Sequence, residues 1–228
     1  MDPFKPNRPA ARTRPRLPGR GAVLGAALTA GLALIAFAPE AYALCAPEEP
    51  LRIVLAKDTP AERDTRAQLE RLVAAYDVSR WMFTCDVVID ESRLPHSHPV
   101  LTLHTRHLLD DDLLLSTFLH EQLHWRLVQH PSATDQAIEI LQREFPDLPI
   151  GFPAGSQDAY GNYVHLIIGL LEWSALKAVI GEMRARAVIT FWSQDHYTAI
   201  YGAVLDNPER IAATIGGLDL LARGHVRR

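Results

Sequence analysis

The chain is 228 residues long, 48% hydrophobic and formally −4 at pH 7, which suits one sizeable domain with a buried core. Residues 1–43 hold Lys5, Arg8, Arg12, Arg14, Arg16 and Arg20 against only Asp2 and Glu40, so the rest is net acidic. An acidic remainder without a basic stripe argues against a nucleic-acid partner.

The basic start runs into GAVLGAALTAGLALIAFA, residues 21–38, and then Ala41-Tyr42-Ala43. A positive n-region, an apolar h-region and a small-x-small site predict a secretory signal peptide over 1–43, cleaved before Leu44. An uncleaved anchor helix is the alternative, because an apolar run of this length barely spans a bilayer. In both cases 44–228 is exported, to the periplasm or the medium, and membrane contact is confined to the N-terminal segment. Export makes Cys45 and Cys85 candidates for one disulfide, with two buried thiols as the alternative.

LRIVLA (51–56) alternates and is rich in β-formers, which predicts a strand. Thr59 as N-cap and Pro60 at the first helical position open a helix over 59–77. FTCDVVID (83–90) and PVLTLHT (99–105) predict two more strands. Asp110, Asp111 and Asp112 start the next helix, where negative charge complements the macrodipole. It stops by His130-Pro131. A short helix is expected over 133–144, starting at Ser132 with Asp135 in the capping-box position. PDLPIGFPAGSQ reads as a Pro/Gly loop and 158–180 as a long apolar helix. Two helices are expected to finish the chain, one near 195–205 and one from Pro208, capped by Asn207. The order of elements gives an α+β fold class.

The helix that starts at Asp110 carries FLHEQLHW, residues 118–125. Residues four apart lie one above the other on a helix, so His120 and His124 can hold one metal ion between them. Glu121 sits beside that ion, in the H-E-x-x-H spacing whose glutamate serves as general base. TFLHEQLHW (117–125) resembles the extended pattern of zincin metallopeptidases, and the strands before it resemble the zincin upper subdomain. The resemblance implies a small three-stranded sheet with a helix packed on it. A mainly helical lower half would follow, carrying the motif helix and a long second helix. It also implies one Zn2+ per chain, a peptide or protein substrate, and PVLTLHT as the edge strand lining the substrate cleft. Two other readings stay open: a zincin-fold binding or scaffold protein without turnover, and a purely structural zinc.

A hydrolytic zinc site needs a third protein ligand. His130 stands where metzincins have theirs, but Leu127 replaces their turn-forming glycine, and an unbroken helix carries His130 away from His124. Glu172 and His165 share a face of the helix 158–180, with Gly169 between them to leave room for a partner helix and the ion. Glutamate from such a downstream helix is the third ligand in gluzincins, and EWSAL (172–176) resembles the E-x-x-A-D segment of one branch. Leu176 departs from it, standing where that branch has an aspartate that supports a metal-bound histidine. Glu172 is the preferred ligand and His165 the alternative. The ordinary reading of Glu172 is a buried carboxylate paired with Arg184 or Arg186.

The tetrahedral intermediate of amide hydrolysis needs a donor besides the metal. With Glu172 as ligand, His165 is the first choice; Tyr160, Tyr163, His196, Tyr197 and Tyr201 come next. His96 and His98, in PHSHP, read as exposed loop histidines.

Overall fold

RIVL, DVVI and LTL become β1 (Arg52–Leu55), β2 (Asp86–Ile89) and β3 (Leu101–Leu103), a parallel sheet in the order β1-β2-β3. Arg52 lies beside Asp86, and Val87 beside Leu101. These positions come from a computed structural model that describes residues 49–218 and Leu220. The expected signal segment, its cleavage site and Cys45 lie outside the described residues; Cys85 is disulfide-bonded.

All three strands are shorter than expected, β2 and β3 for reasons far away in sequence or in backbone chemistry. β2 starts only at Asp86 because the Gln122 side chain takes the strand partner's place. Its Oε1 accepts from the N–H groups of Phe83 (2.7 Å) and Thr84 (2.9 Å), and its Nε2 donates to the Thr84 carbonyl at 2.8 Å. β3 is bounded by Pro99, which has no N–H to give, and by a 3-10 turn at Thr105–His107. Its outer edge is closed: Thr102 N–H donates to the His96 carbonyl at 2.8 Å and its carbonyl accepts from His96 N–H at 3.1 Å.

α1 (Pro60–Ala75) crosses between β1 and β2, as parallel pairing requires. Thr59 caps it as expected, and Glu62 completes a capping box. The fully buried Glu62 carboxylate also accepts from the N–H groups of Lys57 (2.9 Å) and Glu91 (3.2 Å), joining β1, α1 and the turn after β2. Burial alone would raise its pKa, but the backbone donors, Lys57 first, outweigh burial and hold it below the ordinary value. A lowered folded-state pKa adds stability that is complete above the unfolded value, about 4.3, and is lost as pH falls through the folded value. Glu62→Ala is therefore expected to cost about 2 kcal/mol at neutral pH. The cost should shrink in acid. Urea titrations at pH 7 and pH 3 check this, and an equal loss at both would refute it.

Asp110 caps α2 (Asp111–Gln129), accepting from Leu113 N–H at 3.1 Å. α3 (Pro131–Glu144) begins earlier than expected, because Pro131 itself takes the first helical position; Ser132 and Asp135 cap nothing. α4 (Ala159–Ile180) is capped by Asp158. A helix that the sequence reading passed over follows: α5 (Glu182–Asp195), set off from α4 by Gly181 at φ 83°. Positive φ is open to glycine at little cost. α6 (Thr198–Asp206) and α7 (Pro208–Gly217) complete the described chain, and Asn207 precedes α7 without a side-chain cap bond.

The fold is α+β, with seven α-helices and the three-stranded parallel sheet among the described residues. α2 and α4 pack at its centre, where Leu115, Phe118, Leu119, Leu123, Leu166 and Ile167 are fully buried. Each such side chain contributes roughly 2 kcal/mol of transfer free energy. α4 is long and apolar enough to cross a membrane, but 67% of its most apolar window is buried against the other elements.

Candidate metal centre

Burying the apolar stripe of α2 turns its His120–His124 side toward α4, and α4 presents His165 to it. One donor atom from each of the three histidines lies within 4.8 Å of the others. Ring centroids stand 5.2 Å apart for His120 and His124, 5.6 Å for His120 and His165, and 5.2 Å for His124 and His165. His120, His124 and His165 are therefore close enough to bind one metal ion.

The outer ring nitrogens are already engaged. His165 Nδ1 donates to the Gly161 carbonyl at 2.7 Å, one turn back along α4. His120 Nδ1 stands 2.9 Å from Glu172 Oε2. Both rings keep Nε2 as the free donor. Burial lowers the His165 pKa to about 3 and that of His124 well below the usual range, so both imidazoles are neutral and keep lone pairs for a cation. Burial opposes the charged form of His120 too, but the Glu172 carboxylate outweighs it and raises the pKa.

Glu172 thus lies on the Nδ1 side of His120, next to the three-histidine group. It is fully buried, and Tyr201 Oη donates to its Oε2 at 2.8 Å while Ser116 Oγ donates to its Oε1. Ser116 in turn accepts from Trp192 Nε1 at 2.8 Å. Arg184, expected as a partner for Glu172, instead pairs with Asp112 and Tyr76, and Arg186 is exposed. Leu176, where the gluzincin resemblance looks for a supporting aspartate, is a fully buried core residue. Gly169 makes room for α6 and not for an ion: an added Cβ would meet Val204 Cγ2 at 3.2 Å and Tyr201 Cε1 at 3.5 Å.

Glu121 is 6% exposed, and among the described residues no group hydrogen-bonds its carboxylate. Burial pushes its pKa up to about 7; His120 opposes the rise and Glu172 adds to it. His130 stands apart from the group, ending α2 with Nε2 at 3.4 Å from an Arg126 nitrogen. Tyr160 bonds Asp135 (3.2 Å) and Tyr163 the Phe145 carbonyl (2.8 Å), each tying elements together away from the histidines. His196 Nδ1 is held by Asp195 Oδ2 at 2.8 Å, and Arg106 pairs with Asp195.

Two aromatic contacts adjoin the group. Tyr197 lies against the His165 ring at 4.2 Å, with its backbone in the left-handed region at φ 51°. His98, expected to be an exposed loop residue, stacks on Trp125 at 4.2 Å, and Trp125 Nε1 donates to the Ser97 carbonyl at 2.9 Å. The PHSHP loop is thereby fixed to the motif helix. Neither contact has a local signal in the sequence.

Comparison with protein-family models, with curated proteins and with solved structures finds no match to this chain. The site therefore carries the functional argument alone.

Proposed function

We propose that this protein is a zinc-dependent metallopeptidase, exported from the cell, in which His120, His124 and His165 hold the ion and Glu121 is the general base. The convergence of three histidines beside a buried carboxylate that has no hydrogen-bond partner among the described residues carries the reading. A zinc ion bound there supplies a water acidified to near neutrality and a Lewis acid for the scissile carbonyl. Glu121 accepts the proton of the attacking water and passes it to the leaving amine nitrogen. The stacked Tyr197 and the His98–Trp125 pair shape the approach of a substrate. The disulfide at Cys85 supports export, because such bonds persist in oxidising compartments.

A closed structural site would want a fourth protein donor. Glu172, the ligand expected from the sequence, is engaged by His120 Nδ1, and three donors leave a position for water and substrate. A binding protein without turnover has no use for an unpaired buried glutamate, whose desolvation costs stability.

The test is Glu121→Gln in the full chain, with zinc measured by elemental analysis and hydrolysis of a mixed peptide library followed by mass spectrometry. One zinc per chain in both proteins is expected, with cleavage at least ~10³-fold slower in the variant. Identical product patterns and rates for the two zinc-loaded proteins would reject the peptidase reading.

A further inference from the structure

A fully buried carboxylate needs hydrogen bonds and a compensating positive charge. Glu62, the other fully buried one, is met by backbone N–H groups. Glu172 is met by side chains from three other helices: Ser116 and His120 of α2, Tyr201 of α6, and Trp192 of α5 through Ser116. Every direct contact is a donor, and no Lys or Arg is among them. His120 is the link that leads outward from this knot, since its other nitrogen belongs to the three-histidine group.

We infer that Glu172 is a positioning residue for the metal. It fixes His120 with the proton on Nδ1 and the lone pair on Nε2, and supplies negative charge to a dication otherwise held by three neutral rings. This rests on the metal-site reading above. Carboxylates behind ligating histidines act in this way by raising ligand basicity and locking the tautomer, and their loss typically lowers metal affinity 10- to 100-fold. Tyr201 supports the arrangement from the side, with its hydroxyl 2.8 Å from Glu172 Oε2 and 3.2 Å from His120 Nδ1. A purely structural knot joining four helices is the rival account. It predicts that any break in the knot lowers stability and zinc affinity together.

Glu172→Gln and Ser116→Ala separate the two accounts. The first removes the charge at nearly constant shape; the second removes one hydrogen bond to the same carboxylate and leaves His120 and the charge alone. Zinc affinity of the full chain, measured by chelator competition, is expected to fall 10- to 100-fold in Glu172→Gln. It should change less than about threefold in Ser116→Ala, even where thermal stability falls equally. The visible spectrum of the Co2+-loaded protein should shift in the first variant only. ¹⁵N NMR of the wild-type, zinc-loaded chain gives a check independent of variant folding: His120 should carry its proton on Nδ1. Equal zinc affinities for both variants, or a metal on Nδ1 of His120, would overturn the inference and leave the metal site standing. A wild-type chain that binds no zinc would remove the metal-site reading itself.

Discussion

His165→Ala is expected to abolish stoichiometric zinc binding. Of a total binding free energy on the order of 12 kcal/mol for a protein zinc site, one ligand of three carries about a third, or roughly 10³-fold in affinity. The expectation distinguishes His165, on the inner side with its Nδ1 tied to Gly161, from Glu172, tied to Ser116 and Tyr201. Were Glu172 the third ligand, its removal would cost that same 10³-fold and His165→Ala would be nearly silent. His130→Ala is the control and should leave affinity unchanged, because His130 lies apart at the end of α2. Elemental analysis after gel filtration, with chelator competition for the affinities, makes the comparison. Thermal melts add a second readout: zinc should raise the wild-type melting temperature, since a ligand bound only by the native state stabilises it. His165→Ala should lose that rise.

How far the sequence carried the reading depended on the range of the deciding contact. His120 and His124 could be placed together because one helical turn relates them, and Asp110 and Thr59 could be read as caps because capping is local. The choice between His165 and Glu172 could not be read in this way. Both sit on α4, and what rolls Glu172 behind His120 is a hydroxyl on α2 and another on α6, 56 and 29 residues distant. Gln122 similarly shortens β2 from 38 residues away. α5 is a different kind of omission. Ala185, Val188, Ile189 and Trp192 are buried at helical spacing, and the signal was present after Gly181.

The closed edge of β3 bears on what the site can take. The zincin resemblance implies that this strand lines the substrate cleft. Here Thr102, the residue of the short strand that faces outward, gives both its backbone groups to His96. A substrate strand could add only by displacing that bridge, so strand addition does not supply recognition in this conformation. Side chains fixed around the histidines remain: Tyr197 on one, and His98 on the Trp125 of the motif helix.

Tyr197 adjoins a loop that the Asn162 side chain helps to hold, and Asn162→Ala is expected to destabilise the protein by about 3 kcal/mol. Asn162 is 1% exposed. Its Oδ1 accepts from Ser156 N–H at 2.6 Å, and its Nδ2 donates to the carbonyls of Leu148 (3.2 Å) and Pro149 (3.0 Å). The loop is wrapped so closely that a Cβ at Gly155 would fall 1.8 Å from the Pro149 carbonyl oxygen and 2.7 Å from Asn162 Oδ1. Its carbonyls at Pro153 and Ala154 then accept the first N–H groups of α6, from Thr198 (2.9 Å) and Ala199 (3.1 Å), directly after Tyr197. Truncating Asn162 leaves a part-buried N–H and two carbonyls without these partners, at about 1–3 kcal/mol each before water enters. Water reaching the half-exposed loop brings the total down to the stated figure. Guanidinium melts measure the loss. Zinc stoichiometry should hold, since His165 stays on its helix, while peptide hydrolysis should slow as Tyr197 loses its support. A loss below about 1 kcal/mol would mean that the backbone bonds Gly151 N–H to Ser156 O and Gly155 N–H to Gly151 O hold the loop by themselves.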